Sequence, residues 1–254
     1  MELENKVVIL TGASRGLGRI AALEFGRQGA KVVVAARQLS PTGLAGTAEE
    51  TAQAIVDAGG EAMAVGCDVA DEAQVRDLVR KVMDAYGRVD VLVNNAGLMI
   101  PNEGFLDVEP SRFEQLMAVN VRGPYLTCRS VLPVMMEQRS GSIINVGSGS
   151  ADIVRKGNSV YGPSKAALHM FSRCLAEEAR EHNVAVNVLN APGLKTEGSW
   201  AIPWARDTKD EGREWEDRSD PEALLPSMVF LAKQTGETFT GQVVAPKDFG
   251  KSWP

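Results

Sequence analysis

Six short β-branched runs recur along the chain, and longer amphipathic stretches alternate with them. KVVIL (6–10), KVVVAA (31–36), EAMAV (61–65), VDVLV (89–93), SIINV (142–146) and VAVNVL (184–189) read as strands. Near-continuous apolar runs suit strands buried on both faces, the state of a parallel sheet covered by helices. Helical patterns fill the intervals at 17–28, 47–58, 71–86, 111–138 and 159–181. Alternation at this spacing predicts βαβ units with right-handed crossovers, hence an α/β fold built on a parallel sheet. Asp220-Pro221-Glu222 has the form of a helix start, predicting a last helix over 220–232, and TGQVVA (240–245) a final strand. No repeat, linker or low-complexity tract interrupts the 254 residues, so one domain over 1–254 is expected. The least regular segment is 192–220. A long irregular connection inside a compact domain predicts a substrate-binding loop or lid. Its Trp200, Trp204 and Trp215 suit an apolar ligand or, equally, core or interface anchors.

Composition narrows the function classes. A net charge of −6 argues against a dedicated nucleic-acid or anionic-membrane surface. The apolar runs are too short to span a bilayer, and the acidic start MELENK has no secretory pattern. Cys67, Cys128 and Cys174 are scattered and odd in number, which points to a reducing, cytoplasmic compartment. Two histidines, His169 and His182, are too few and badly spaced for a zinc site, so no metal is expected.

The first strand runs into TGASRGLG, with Gly12, Ser14, Arg15, Gly16, Leu17 and Gly18 at the turn into a helix. Glycines there let the backbone turn sharply and let a ligand approach the helix N-terminus. Free amides and the helix dipole at that end favour phosphate oxygens. The spacing is G-x-x-x-G-x-G, which departs from the commonest dinucleotide fingerprint. Where an NAD site places an acid after the second strand, this chain has Ala35-Ala36-Arg37 and no Asp or Glu from Ala30 to Ala48. Arg37 and Arg15 can flank a 2′-phosphate, whose geometry matches arginine's planar fork, so NADP(H) is predicted over NAD(H). CDV (67–69) and NNAG (94–97) also follow strands and fall at the carboxyl edge of the sheet, where such folds bind ligands. Asp68 then either accepts a hydrogen bond from adenine or serves as a helix N-terminal acid. Asn94 and Asn95 either face the ligand or tie loop backbone together.

SIINV leads directly to Gly147 and Ser148, and thirteen residues further on stands Tyr161, then Lys165. On a helix Tyr161 and Lys165 share a face. A nearby ammonium favours the phenolate and predicts a phenol pKa below its usual value of about 10. A phenol so tuned can donate or accept a proton near neutral pH, while Ser148 holds a carbonyl oxygen in place. Pro163 lacks an amide hydrogen, which costs little in a first helical turn, so the helix is predicted to begin very near Tyr161.

TGASRGLG, CDV, NNAG, MAVNVRG, the serine after SIINV, YGPSK and NAPG stand in an order and spacing that resemble the short-chain dehydrogenase/reductase superfamily, over about residues 5–245. The resemblance implies a doubly wound Rossmann fold with a seven-stranded parallel sheet. It implies Tyr161 as acid/base, Lys165 as its electrostatic partner, Ser148 as anchor of the substrate oxygen, and Asn120 as holder of a water in a proton relay. It also implies cofactor contacts along the nucleotide turn, at Asp68 and Val69, at Asn95, Ala96 and Gly97, at Tyr161 and Lys165, and at Pro192, Gly193 and Thr196. The implied substrate is a small ketone or secondary alcohol, with a 3-oxoacyl carrier-protein reductase as one candidate. A protein that keeps the nucleotide fold as an idle sensor or scaffold is the alternative of another class. A homo-oligomer, tetramer or dimer, is implied as well. Three features depart from the family pattern: Thr196 stands three residues past Gly193 where members place a threonine four past, Gly147 replaces a common serine, and the chain ends KDFGKSWP.

Overall fold

The computed structural model describes residues 1–37, 46–100, 103–200 and 215–254. Seven parallel strands form one sheet in the order β3-β2-β1-β4-β5-β6-β7. They are β1 (Val7–Thr11), β2 (Lys31–Ala36), β3 (Glu61–Gly66), β4 (Val91–Asn94), β5 (Gly141–Val146), β6 (Val184–Leu189) and β7 (Val243–Val244). Every residue of β1, β4, β5 and β6 is buried, because helices cover both faces.

Side chains alternate across the sheet, as strand geometry requires. Val8, Leu10, Val32 and Val34 pack with α1 (Gly16–Arg27) and α2 (Ala48–Asp57). Val7, Ile9 and Val33 pack on the other face with α3 (Glu72–Tyr86), α5 (Gly123–Gln138) and α6 (Tyr161–Arg180). α2 opens with a capping box between Thr47 and Glu50, and the Asp71 side chain caps α3.

Three boundaries differ from the sequence reading. The stretch 111–138 is not one helix: α4 (Pro110–Met117) and α5 are joined by a π-helical turn, Ala118–Arg122. Pro124 explains this, since it has no amide hydrogen for the carbonyl four residues back, that of Asn120. The last helix begins with a 3₁₀ turn, Pro221–Leu224, before α8 (Leu225–Ala232). Pro226 likewise offers the carbonyl of Glu222 no hydrogen. The final strand is two residues long, and the chain then turns back on itself. Trp253 donates its indole N–H to Ala245 at 3.0 Å and stacks with Phe239 at 6.0 Å. The expected lid over 192–220 lies partly outside the described residues, Trp204 with it. Its two ends meet where Leu194 pairs with Ser219 in a short parallel bridge. α7 (Glu197–Trp200) follows Thr196.

Strand order reverses between β1 and β4, which lie side by side. Open α/β sheets bind ligands in the crevice outside the strand ends at such a point.

Candidate active site

The loops at the carboxyl edge enclose two adjoining cavities. The smaller, about 180 Å³, is lined by Gly12, Ser14, Arg15, Arg37, Asp68 and Val69, among others. The larger, about 600 Å³, runs from Gly16 past Ser148, Tyr161 and Lys165 to Pro192, Gly193 and Thr196. Arg15, Asn95, Gly97 and Leu98 line both.

The glycine turn is shaped by close approach. A Cβ on Gly18 would lie 2.3 Å from the Gly12 carbonyl oxygen and 2.5 Å from Asn95 Nδ2. Gly12, at φ +65°, would put one 2.8 Å from Ala96 Cα. Thr11 locks the turn to the next loop: its hydroxyl donates to the Val93 carbonyl and accepts the amides of Asn95 and Ala96. Asn95 donates in turn to the carbonyls of Thr11 and Gly12 at 3.0 and 3.1 Å. Its open alternative therefore falls on the backbone-tying side, although the residue still lines both cavities. Asn94 is buried and donates to Asn145 on β5, while its Oδ1 accepts from Thr127 on α5.

Arg15 and Arg37 lie close enough to repel. Partial burial lowers the Arg15 pKa, Arg37 lowers it further, and Glu197 opposes both. Both line the smaller cavity, and guanidiniums on its wall suit a phosphate dianion. Asp68 sits on the same wall, where its carboxylate accepts the amide of Ala70 at 2.9 Å, and the helix-capping role belongs to Asp71. Thr196 caps α7, accepting the Ser199 amide at 3.1 Å, and lies against Gly16, where a Cβ would meet the Thr196 Cβ at 3.4 Å.

At the end of β5, Ser148 caps a 3₁₀ turn, Gly149–Ala151, by accepting the Ser150 amide at 3.2 Å. It also hydrogen-bonds the Tyr161 hydroxyl. α6 starts at Tyr161, with Pro163 in its first turn, as the sequence predicts. Lys165 is 6% exposed and lies on the face of Tyr161, its Nζ 5.9 Å from the ring centroid. It donates to the Val146 carbonyl at 2.9 Å.

The expected acidification of the phenol is not what the geometry gives. Burial raises the Tyr161 pKa, and the Ser148 hydrogen bond opposes it. Burial also lowers Lys165 to about 8, and its ammonium is bonded to a carbonyl instead of the phenol oxygen. The free phenol is thus held in its acid form.

Asn120 is 1% exposed in the π turn. Its Oδ1 accepts the Leu98 amide at 2.7 Å, and its Nδ2 donates to the Leu98 carbonyl and to Ser164. A Cβ on Gly97 would stand 3.5 Å from that Oδ1 and 3.7 Å from Lys165 Nζ, so Asn120 and Lys165 border the same spot.

A family model for short chain dehydrogenases matches residues 6–206. The chain belongs to this family. An uncharacterized oxidoreductase of Thermotoga maritima is 36% identical over 201 residues, 79% of this chain and 76% of that one. Two solved structures superpose with a TM-score of 0.82 at 30% identity, each over 96% of this chain. One is a putative NAD(P)-dependent gluconate 5-dehydrogenase from Beutenbergia cavernae with NADP bound at low occupancy, covered over 96% of its length. The other is a 3-ketoacyl-(acyl-carrier-protein) reductase from Brucella melitensis complexed with NADH, covered over 97%. This short-chain dehydrogenase is accordingly an oxidoreductase of the CH–OH/C=O kind. Among its described residues no helix is long and apolar enough to cross a membrane.

Sequence reasoning missed several residues that shape the dehydrogenase site. Thr11 and Ser164 sit inside motifs whose neighbours drew attention, and only the hydrogen-bond pattern exposes them. Asn158 donates to the carbonyls of Ser150 and Ile153 at 2.8 and 2.7 Å, and a Cβ on Gly162 would strike its Nδ2 at 2.4 Å. That contact gives the Gly-Pro pair a second reason. Gly147 is explained likewise. A Cβ there would lie 2.3 Å from Nε2 of buried His169, so the usual serine has no room.

Proposed function

We propose that the protein transfers a hydride between NADP(H) and a ketone or secondary alcohol, with Tyr161 as general acid/base. The observation that carries this reading is the convergence of Ser148, Tyr161 and Lys165 on one wall of the larger cavity. The residues fit a dinucleotide: tightly approached glycines, amides at the start of α1, and paired guanidiniums at the far end. Gly12, Ser14, Arg15, Gly16, Leu17, Gly18, Arg37, Asp68 and Val69 would hold its adenosine and phosphate half. Asn95, Ala96, Gly97, Lys165, Pro192, Gly193 and Thr196 would hold its nicotinamide half. When bound, the cofactor supplies or takes up the hydride.

The chain's own residues handle the oxygen. Ser148 Oγ holds the substrate oxygen beside the phenol. In the reductive direction Tyr161 gives that oxygen its proton, and the phenolate left behind is stabilised by the Lys165 ammonium. Asn120 fixes the loop at Leu98 and, with its carbonyl deprived of an α-helical partner by Pro124, offers an acceptor for a water beside Lys165.

The absence of an acid after β2 and the Arg15–Arg37 pair support NADP(H). NADPH is expected to bind at least about tenfold tighter than NADH, a difference one charge-assisted hydrogen bond can supply. Arg37→Ala should collapse the ratio in fluorescence titrations. Tyr161→Phe should lower turnover of a ketone panel by about 10²–10⁴-fold with NADPH binding retained. Activity surviving in Tyr161→Phe would refute the assigned acid, and equal affinity for the two cofactors would refute the preference. Cofactor binding without any turnover would favour a sensor.

A further inference from the structure

α6 lays one face along the end of β5, where three of its side chains meet three consecutive residues. Lys165 donates to the Val146 carbonyl at 2.9 Å, and the Ser172 hydroxyl accepts from Asn145 Nδ2 at 2.7 Å. Between them His169 lies under Gly147: a Cβ there would strike its Nε2 and stand 3.0 Å from its Cδ2. The spacing i, i+4, i+7 brings the three to one helix face. Ser148 follows Gly147 and carries the hydroxyl that meets Tyr161. We infer that His169 is a positioning residue for the reaction: its imidazole is the seat of Gly147, and through Gly147 it sets where Ser148 Oγ stands.

Packing alone does not account for an imidazole. His169 is 8% exposed, and its Nε2 is buried without a hydrogen-bond partner among the described residues. A buried unpaired nitrogen costs stability that an apolar side chain of the same size would not. Gly147 makes the same point from the other side. Its amide donates to the Leu189 carbonyl at 2.9 Å, while His169 and Val188 together fill the place its own side chain would take.

The seat depends on the ring's charge. The charged groups facing it among the described residues are Asp152, at the end of the 3₁₀ turn, and Lys165, on its own helix. β5 and β6 present Gly147 and Val188. Burial lowers the His169 pKa, Asp152 opposes this, and Lys165 lowers it further, so the ring is neutral at pH 7. An imidazolium donates from both nitrogens, and at Nε2 it would meet carbon in place of an acceptor. Protonation therefore drives the ring off its seat, and Gly147 and Ser148 follow. In the reductive direction Tyr161 must hold its proton and Lys165 its charge. Both conditions are favoured as the pH falls, so the loss of turnover on the acid side belongs to His169.

The inference rests on the reading above for Ser148 as the anchor of the substrate oxygen. The test uses NADPH with cyclohexanone, acetophenone and ethyl acetoacetate at matched folded fraction. His169→Ala should lower kcat about 10–100-fold, the effect of a misplaced anchor, with the KM for NADPH unchanged. Gly147→Ser should lower both kcat and the urea midpoint. Adding His169→Ala to it should restore part of each, because the serine side chain then takes the vacated place. His169→Gln keeps the reach of Nε2 and does not titrate. It should retain turnover at neutral pH, and its kcat should stay level on the acid side, whereas that of wild type falls below about pH 6.5. A role in packing alone would move the urea midpoint and leave the pH profile as it is. The inference is overturned if His169→Ala keeps its kcat, if the double variant is no better than Gly147→Ser, or if wild type and His169→Gln share one pH profile. Should wild type turn over none of the ketones, the hydride-transfer reading fails by itself, and the Ser148 amide resonance decides the placement. On acidification it should move with the titration of His169 in wild type and stand still in His169→Gln. A resonance that behaves alike in both proteins removes the positioning role.

Discussion

Lys165 shows what the site costs the fold. Its ammonium is buried against the Tyr161 ring and the Val146 carbonyl, and burial holds its pKa at about 8 against an ordinary 10.5. Below about pH 8 the folded and unfolded chains both keep the proton, so the folded state bears the full cost of a buried charge. Between about 8 and 10.5 the folded chain releases the proton while the unfolded chain keeps it, so this group's contribution to stability rises with pH. A shift of this size corresponds to about 3 kcal/mol. Lys165→Met removes the charge and keeps the volume. It should be more stable than wild type at pH 7 by about 1–3 kcal/mol, less than the full cost because the bond to Val146 is lost. That gain should shrink as the pH approaches 10, while turnover is lost at every pH. Urea midpoints of the two proteins from pH 7 to 10 measure it. A gap that does not change with pH would mean that burial of the charge is not its source.

The start of α6 joins local structure to the site. Asn158 is 6% exposed, and its two hydrogen bonds close the loop that runs from Ser148 to the helix. Asn158→Ala leaves two carbonyls without their donor and opens a small gap against Gly162. A loss of about 2–3 kcal/mol is expected. Because the same loop sets Ser148 against Tyr161, kcat should fall about tenfold or more in the fraction that remains folded. Denaturation midpoints and kcat at matched folded fraction test this. A variant with reduced stability and unchanged kcat would separate the loop from the reacting pair. The two Gly-Pro pairs explain what was legible at this scale. Pro163 lies in a first turn, where its missing hydrogen matters little, and the helix start was readable from it. Pro124 lies where a helix was already running, and the apolar pattern on both sides of it is continuous. The hydrophobic period therefore hid the π turn, although the residue that causes it was in view. Ser148, Tyr161 and Lys165 were legible because their spacing is local to one strand–helix unit. The fit of His169 beneath Gly147 was not, because a missing side chain gives no sign of what fills its place. The phenol's direction of shift was misread for a related reason. Spacing reveals a neighbouring charge, and burial depends on the whole site.

Across the molecule the two edges of the sheet do different work. The carboxyl edge gathers the cavities, and the amino edge is stitched by Asp90. Its carboxylate accepts the Val7 amide at 3.0 Å and both Nε and Nη2 of Arg88 at 2.8 and 2.6 Å, with Lys6 at 3.3 Å. Its own amide donates to Val7 and its carbonyl accepts from Ser142, so it meets β1, β4 and β5 together. Burial pushes the Asp90 pKa up, but the hydrogen bonds from Arg88 and Val7 and the charge of Lys6 outweigh it, and the net shift is downward. A depressed folded-state pKa means that the stabilisation is present above the unfolded value of about 4 and is lost as the pH falls through the folded value. Asp90→Ala should therefore cost about 2–4 kcal/mol at pH 7, within the range for breaking a buried hydrogen-bonded charge whose partners stay partly solvated. The gap to wild type should narrow only below about pH 4, where wild type loses the same interaction. Turnover per folded molecule should be unchanged, since Asp90 stands at the opposite end of the strands from the cavities. Ser148→Ala should do the reverse, leaving the unfolding free energy within about 1 kcal/mol of wild type and lowering kcat/KM. Urea midpoints at pH 7 and pH 3, set beside kcat/KM for both variants, give the contrast. A loss of turnover in Asp90→Ala at full folding would show that the amino edge reaches the site, and the separation of the two edges would fall.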